Sequence, residues 1–216
     1  LAIIRLNRHQ NKMEVLLANA KVGTIVPLYR EENKYYIDES NLDNLVFLDN
    51  GTQFVITSEK SGYMHLYLYD LNGRERQAIT KGNFDIIDFY GYDPVRKLFY
   101  YSSYEESPLE KYIYSINEKG LKKKLTPVKG WNEASFSKNF NYYINVVSNT
   151  DTPPVTALYN AKGKQVRVLE DNKAVKEAVK AYNLAKPEFI QIPAADGKTM
   201  LNAWIMKPVN QETGKK

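Results

Sequence analysis

A hairpin signature that occurs four times constrains this chain of 216 residues more than any other feature. Each copy has a short apolar stretch, often containing tyrosine, then a glycine turn and a polar strand that ends in an apolar residue. The turn glycines are Gly23, Gly73, Gly120 and Gly163, which lie about 50, 47 and 43 residues apart. A repeat of this length predicts four-stranded propeller blades and not the units of a helical solenoid.

The second copy shows the pattern most clearly, with the sequence GYMHLYLYDLNGRERQAITKG at 62–82. Side chains alternate from Met64 to Asp70 with the period of a β-strand, and Asn72-Gly73 is a typical source of positive φ angles in a tight turn. Only Ala78 and Ile79 are apolar in the segment that follows the turn. That segment is therefore predicted to be an outer edge strand.

Another strand candidate precedes each hairpin, so each repeat can make one blade. These candidates are 2–7, 54–58, 98–102 and 142–147. The blades are predicted at about 1–30, 33–80, 81–126 and 127–170, with only the last three strands present in the first. We expect the second blade to open with Tyr35-Tyr36-Ile37 and the third with 85–89. Pro153-Pro154 is expected between two strands, where no ladder hydrogen bond is lost.

The repeat ends at about residue 170, and a helical pattern follows at 171–187. Asp171-Asn172 is a candidate cap, the apolar positions recur at helical spacing, and Pro187 is expected to end the segment. Two further strands are predicted at 189–193 and 200–207. The predicted fold class is all-β: a partial β-propeller of three full four-stranded blades plus an incomplete one, followed by a short helix and a hairpin that lacks the repeat.

The composition agrees with an all-β globular chain. Hydrophobic residues make up 43% of the sequence, and there are 17 Tyr against 8 Phe and 2 Trp, a bias that favours strands. The chain has no cysteine, which excludes disulfides, a thiolate zinc site and a cysteine nucleophile. No stretch approaches the roughly 18 consecutive apolar residues of a membrane-spanning helix.

The formal net charge is +5, and its densest contribution is Lys119, Lys122, Lys123, Lys124 and Lys129. The repeat places these lysines at an outermost strand, where lysine commonly protects a sheet edge from pairing with other chains. We expect a protected edge. A nucleic-acid surface is the alternative interpretation.

Seven segments, in order along nearly the whole chain, resemble the bacterial dipeptidyl peptidase IV proteins of the prolyl oligopeptidase class of serine peptidases. They are AIIRLNRHQNKMEVLLAN at 2–19, GYMHLYLYDLNG at 62–73, ITKGNFDIIDFYGYDP at 79–94, EESPLE at 105–110, FSKNFNYY at 136–143, RVLEDN at 167–172 and PAADGKTMLNAWIMKP at 193–208. The ordered set is more specific than any single segment.

The resemblance implies an eight-bladed propeller followed by an α/β-hydrolase domain. This chain would hold the later blades at 1–170, a linker helix at 171–187 and the start of a truncated hydrolase domain at 188–216. The family's nucleophile lies on a Gly-x-Ser-x-Gly elbow, and no serine here has both glycines. The paired glutamates that hold a substrate's amino terminus would lie on an earlier blade. We therefore expect no catalytic, cofactor-binding or metal-binding residue in this chain.

The loop that enters the second blade holds the candidates for lining the central channel, with a plain connector as the alternative. These candidates are Asp38, Glu39, Ser40 and Asn41. Glu31-Glu32 and Glu105-Glu106 look like an ammonium-binding pair, but their positions in the repeat favour solvated loops.

The remaining candidates favour structural roles. His9 and His65 have no metal-ligand spacing, so hydrogen-bonded structural histidines are expected. Asp49-Asn50-Gly51 lacks the distal glutamate of a calcium loop and predicts a turn. We expect Trp131 and Trp204 to anchor cores.

We interpret the chain as the non-catalytic part of a secreted or periplasmic dipeptidyl peptidase IV-like serine exopeptidase, in which the propeller gates peptide access. A propeller scaffold that binds protein or peptide, without a catalytic partner, is the alternative. The expected partners are the parent enzyme's peptide substrate, the missing blades and the hydrolase domain. Neither nucleic acid nor a membrane span is expected. The open ends of an incomplete ring predict self-association.

Overall fold

The computed structural model describes residues 1–39, 42, 44–48 and 51–209, and within these residues it contains seventeen strands and one helix. The strands form five antiparallel sheets, each built from strands that are consecutive in the chain. The first sheet has three strands: β1 (Ala2–Leu6), β2 (Lys12–Ala18) and β3 (Ile25–Glu32).

Three four-stranded sheets follow in the order of the chain. The second sheet contains β4 (Val46–Phe47), β5 (Gln53–Ser58), β6 (His65–Asp70) and β7 (Glu75–Ala78). The third contains β8 (Ile86–Asp93), β9 (Leu98–Ser103), β10 (Tyr112–Ile116) and β11 (Lys122–Lys124). The fourth contains β12 (Trp131–Phe136), β13 (Tyr142–Asn149), β14 (Thr152–Asn160) and β15 (Gln165–Glu170).

Each buried apolar cluster lies between two neighbouring sheets and not within one. The first cluster joins Met13, Val15 and Leu28 to Phe54, Ile56, Tyr67 and Tyr69 of the second sheet. The next joins Val55, Leu66 and Leu68 to Phe99, Tyr101 and Tyr114. The last joins Tyr100, Ile113 and Leu125 to Tyr143, Ala157 and Tyr159. The sheets are therefore blades packed face to face, and the chain is a partial β-propeller of three full blades and one three-stranded blade, as predicted.

The two middle blades are covered on both faces, whereas the outer two are covered on one. Every residue of β6 and β10 is buried, and so is every residue of β5 and β9 after the first. By contrast, β1 and much of β13 alternate between more and less exposed positions, as in a sheet with one wet face. The polar strands β7, β11 and β15 lie at sheet edges, where the sequence placed them.

Two details of the predicted blades are wrong. The second blade opens with β4, and Tyr35-Tyr36-Ile37 forms no strand, because Ile37 instead packs into the first core and donates its N–H to the carbonyl of Gln10 at 2.6 Å. Pro153 and Pro154 lie inside β14 and not between strands. They are tolerated beside a register shift between Val147 and Asn149, where ladder bonds are already disrupted.

A helix, α1 (Lys173–Ala181), and a hairpin of β16 (Pro187–Pro193) and β17 (Met200–Met206) follow the blades. Asn172 does not cap the helix with its side chain, contrary to the prediction, because its Nδ2 donates to the carbonyl of Pro154 at 2.5 Å. The Asp171 carboxylate accepts the Lys173 N–H at 3.0 Å. Neither tryptophan is a core anchor, since Trp131 is 40% exposed and Trp204 63%.

The turn glycine of the second blade has a role beyond its backbone angle. Gly73 has φ 75°, and the Asp70 carboxylate accepts the N–H groups of Asn72 at 2.9 Å and Arg74 at 3.0 Å, which fixes the turn. A Cβ added at Gly73 would lie 2.4 Å from the carbonyl oxygen of Leu28 in the first blade. The second blade therefore approaches the first through a position that only glycine can occupy.

We expect Gly73→Ala to destabilise the protein more than Gly120→Ala. Gly120 has φ 78° in the equivalent turn, but nothing lies within 4 Å of an added Cβ. The backbone cost of about 1–2 kcal/mol should apply to both, while Gly73→Ala should lose roughly 1–3 kcal/mol more through the clash with Leu28. Urea unfolding of both variants measures the difference. Equal losses would mean that the close approach between blades carries no stability.

Candidate functional site

One end of the blade stack carries the connections that follow β1, β3, β5, β7, β9, β11 and β13, because antiparallel neighbours alternate direction. The chain leaves β15 at this same end to enter α1. We call it the exit end.

Carboxylates gather at the exit end between the first two blades. Glu31, Asp38 and Glu59 line a cavity of about 20 Å³, which is room for a single water molecule. Burial, followed by the negative charges of Asp85, Asp38 and Glu31, raises the pKa of Glu59 above its ordinary value. We call these four side chains the acidic pocket. Burial contributes most to the raised pKa, and the three neighbouring carboxylates add to it.

Hydrogen bonds fix two members of the acidic pocket. Glu31 accepts the Tyr29 hydroxyl at 2.6 Å and the Ser58 hydroxyl at 2.8 Å, and Asp85 accepts the Met64 N–H at 2.7 Å. Burial and the charge of Glu31 raise the pKa of Tyr29, so this phenol stays protonated and continues to donate. The carboxylates of Glu31 and Asp85 are therefore held in place.

The predicted channel-lining residues fall partly in this pocket. Asp38 is half-buried and lines the cavity, while Glu39 is exposed and accepts a hydrogen bond from Gln10 at 3.2 Å. Ser40 and Asn41 lie outside the described residues, as do Asp49 and Asn50 of the predicted turn. The structure thus brings Asp38 together with Glu31 and Glu59, a grouping that the sequence did not indicate.

The second glutamate pair, Glu105-Glu106, forms ion pairs with lysines of the same chain. Glu105 pairs with Lys122, Glu106 with Lys124 at 2.8 Å, and the neighbouring Glu110 with Lys129 at 2.9 Å. The expectation of solvated loops is wrong for Glu105, whose side chain is only 8% exposed. Glu31 and Glu32 lie at the end of a strand and not in a loop, although Glu32 is exposed as expected. The same three ion pairs neutralise much of the basic cluster, which weakens the alternative of a nucleic-acid surface.

The histidines differ in their surroundings. His65 is buried, with Nδ1 3.1 Å from the Thr80 hydroxyl and Nε2 3.0 Å from the carbonyl of Gly82, so it is the structural histidine that was expected. His9 is exposed in the turn between β1 and β2. In the described part of the chain, no three His, Cys, Asp or Glu side chains are arranged to hold a metal ion.

A buried lysine between the third and fourth blades was missed by the sequence analysis. Lys111 is 5% exposed, and its ammonium lies 3.2 Å from Asp88 and 3.7 Å from Glu133. Ser102 donates to the same Asp88 carboxylate at 2.7 Å. The available signal was Asp88 within the otherwise apolar run at 86–89, and its side chain is 43% exposed where it meets Lys111.

The stacked sheets define the class of protein: a β-propeller module that continues into a helix and a hairpin. A family model described as the dipeptidyl peptidase IV (DPP IV) N-terminal region matches residues 1–154. The chain therefore belongs to the dipeptidyl peptidase IV family, within its N-terminal region.

Individual relatives agree with this assignment. Dipeptidyl peptidase 4 of Trichophyton rubrum is 30% identical over 188 residues, which cover 81% of this chain and 24% of that protein. Dipeptidyl peptidase 4 of Arthroderma otae is 29% identical over 227 residues, covering 97% and 28%. The crystal structure of Porphyromonas gingivalis dipeptidyl peptidase 4 superposes with a TM-score of 0.92 at 39% identity, covering 98% of this chain and 30% of that one. The chain thus spans about a quarter of the length of these curated relatives.

We expect Glu59→Gln to raise the free energy of unfolding at pH 7, because it removes a negative charge that three neighbours oppose. The gain should stay below about 1 kcal/mol, since Glu59 is exposed. The native state binds the Glu59 proton more tightly than the unfolded chain does. The gain should therefore shrink as the pH falls through the raised pKa and vanish below the ordinary value of 4.5.

Urea unfolding at several pH values measures this dependence. Glu118→Gln is the matched control, because Glu118 is exposed and lies outside the acidic pocket. A gain for Glu59→Gln that did not change with pH would contradict the electrostatic interpretation.

Proposed function

We propose that this chain is the later part of the propeller of a secreted or periplasmic serine exopeptidase that releases N-terminal dipeptides with proline or alanine in the second position. The observation that carries the proposal is the match to the DPP IV N-terminal region over residues 1–154. The propeller admits peptides to the active site and excludes folded proteins, and the described residues supply no catalytic group. None of the described helices is long and apolar enough to cross a membrane.

Exposed apolar side chains of the β16–β17 hairpin support the proposal of a second domain. Apolar side chains are exposed on both faces of the β16–β17 hairpin, with Phe189 opposite Trp204 on one face and Ile192 opposite Leu201 on the other. An isolated two-stranded hairpin is marginal in water, so both faces require cover. We propose that residues 171–187 link the propeller to an α/β-hydrolase domain that begins at about residue 188 and provides this cover.

The acidic pocket lies at the end that faces such a domain. A peptide entering amino terminus first carries an ammonium group, and a cluster of carboxylates raises the local concentration of cations. We propose that Asp38 and Glu59 guide this ammonium group toward the active site. This role is electrostatic steering and does not require direct contact with the scissile bond.

Peptidase assays on the proposed longer protein and on the 216-residue chain test the proposal. We expect it to hydrolyse Gly-Pro- and Ala-Pro-anilides, while the purified 216-residue chain turns over neither. Asp38→Asn with Glu59→Gln should raise KM about two- to tenfold at low salt with little change in kcat, and the difference should shrink at high salt because steering is screened. Glu118→Gln serves as the control.

Each result separates the proposals. Turnover by the 216-residue chain would contradict the absence of catalytic groups. A longer protein without a Gly-x-Ser-x-Gly elbow and without anilide hydrolysis would favour a binding scaffold. Normal hydrolysis with an unchanged KM in the double variant would remove only the steering role.

The first and fourth blades expose large hydrophobic side chains on their outer faces. Ile3 in the first blade, and Tyr142, Ile144 and Val168 in the fourth, are exposed large hydrophobic side chains. We propose that the 216-residue chain associates through these faces, because terminal repeat units need a cover. Sedimentation equilibrium should show a mass that increases with protein concentration. A monomer at every concentration up to about 1 mM, where even weak association would be detected, would contradict this proposal.

A further inference from the structure

A groove lies between the second and third blades on the side of their outer strands. Its lining comes from β7 and the segment after it on one side, and from β9, β10, β11 and the turn between β10 and β11 on the other. Its volume is about 440 Å³, within the range of ligand-binding clefts. Both of its walls belong to blades that are complete in this chain, so the groove does not arise from a missing neighbour.

The floor of the groove is apolar and fixed. Ile79, Tyr101 and Ile116 line it, and each is at most 5% exposed. Gln77 donates from Nε2 to the carbonyl of Glu118 at 2.8 Å, which ties the two walls together. The groove is therefore a preformed feature of the packed blades.

The rim of the groove is basic. Lys81, Lys119 and Lys122 line it together with one carboxylate, Glu118. Lys122 is neutralised by Glu105, whereas neither Lys81 nor Lys119 forms an ion pair with any residue that the structure describes. Both free lysines are exposed, so they can meet negative charge on a partner.

One wall of the groove is a sheet edge. β7 pairs only with β6, and its residues Gln77 and Ala78 line the groove. An edge strand offers unpaired backbone N–H and C=O groups to an added strand, and alternate side chains of that strand then point to the floor and to the rim.

We propose that this groove binds an extended acidic peptide segment, with apolar side chains on the floor and carboxylates beside Lys81 and Lys119. The proposal does not depend on the peptidase function, because it rests on the lining and charges of the groove itself. It names a docking surface for a partner protein that displays such a segment.

Fluorescence anisotropy with a labelled Val-Asp-Val-Glu-Val-Asp peptide and the full chain tests the proposal. We expect saturable binding that weakens as salt rises from 50 to 300 mM. The amide analogue Val-Asn-Val-Gln-Val-Asn should bind at least about threefold more weakly. Lys81→Gln with Lys119→Gln should weaken binding of the acidic peptide about three- to tenfold, as expected for two exposed ion pairs.

Lys162→Gln with Lys164→Gln is the matched control, because Lys162 occupies the turn of the fourth blade that corresponds to Lys119 in the third. This control should bind as the unaltered chain does, and thermal unfolding verifies that both double variants are folded. The proposal is overturned if the acidic peptide does not bind, if both peptides bind equally, or if the two double variants bind the acidic peptide equally well.

Discussion

The packing of aromatic and aliphatic side chains between neighbouring sheets holds this molecule together. Each of the three buried apolar clusters of the described residues joins neighbouring blades: Phe54 of the second blade packs against Tyr29 of the first with 6.5 Å between ring centroids, and Tyr100 of the third stacks on Phe140 of the fourth at 5.0 Å. A blade is therefore stable only through its neighbours, as in other repeat proteins. The exposed faces of the two outer blades follow directly from this dependence.

The same packing gives two clusters of carboxylates different electrostatic surroundings. In the third blade, Glu105, Glu106 and Glu110 form ion pairs with three lysines. The hydrogen bond from the Lys124 ammonium holds the pKa of Glu106 below its ordinary value. At the exit end of the first two blades, by contrast, burial and the charges of Asp85, Asp38 and Glu31 raise the pKa of Glu59. The opposite directions of the pKa shifts of Glu106 and Glu59 therefore distinguish the two carboxylate clusters.

The repeat made the architecture predictable, because a turn glycine, a polar edge strand and a fixed spacing are local signals. Long-range contacts were not predictable in this way. Tyr35-Tyr36-Ile37 has the pattern of a strand, but it forms a loop from which the Ile37 side chain packs into the core. The strand that does open the second blade, β4, has only two residues and therefore a weak sequence pattern. Likewise, the partners of Glu105-Glu106 lie 17 and 18 residues away along the chain, and only the folded blade brings them together. The acidic pocket was predicted only in part, through Asp38, because Glu31 comes from the end of β3 and Glu59 and Asp85 come from two later connections.

Amide hydrogen exchange resolved by strand tests the central claim most directly. If neighbouring blades stabilise one another, β5, β6, β9 and β10 should exchange most slowly, because both faces of their sheets are covered, and β1 and β15 should exchange fastest. This gradient reflects local opening from the uncovered faces inward. Equal protection in all four blades, or greater protection in the first and fourth than in the middle two, would contradict the account.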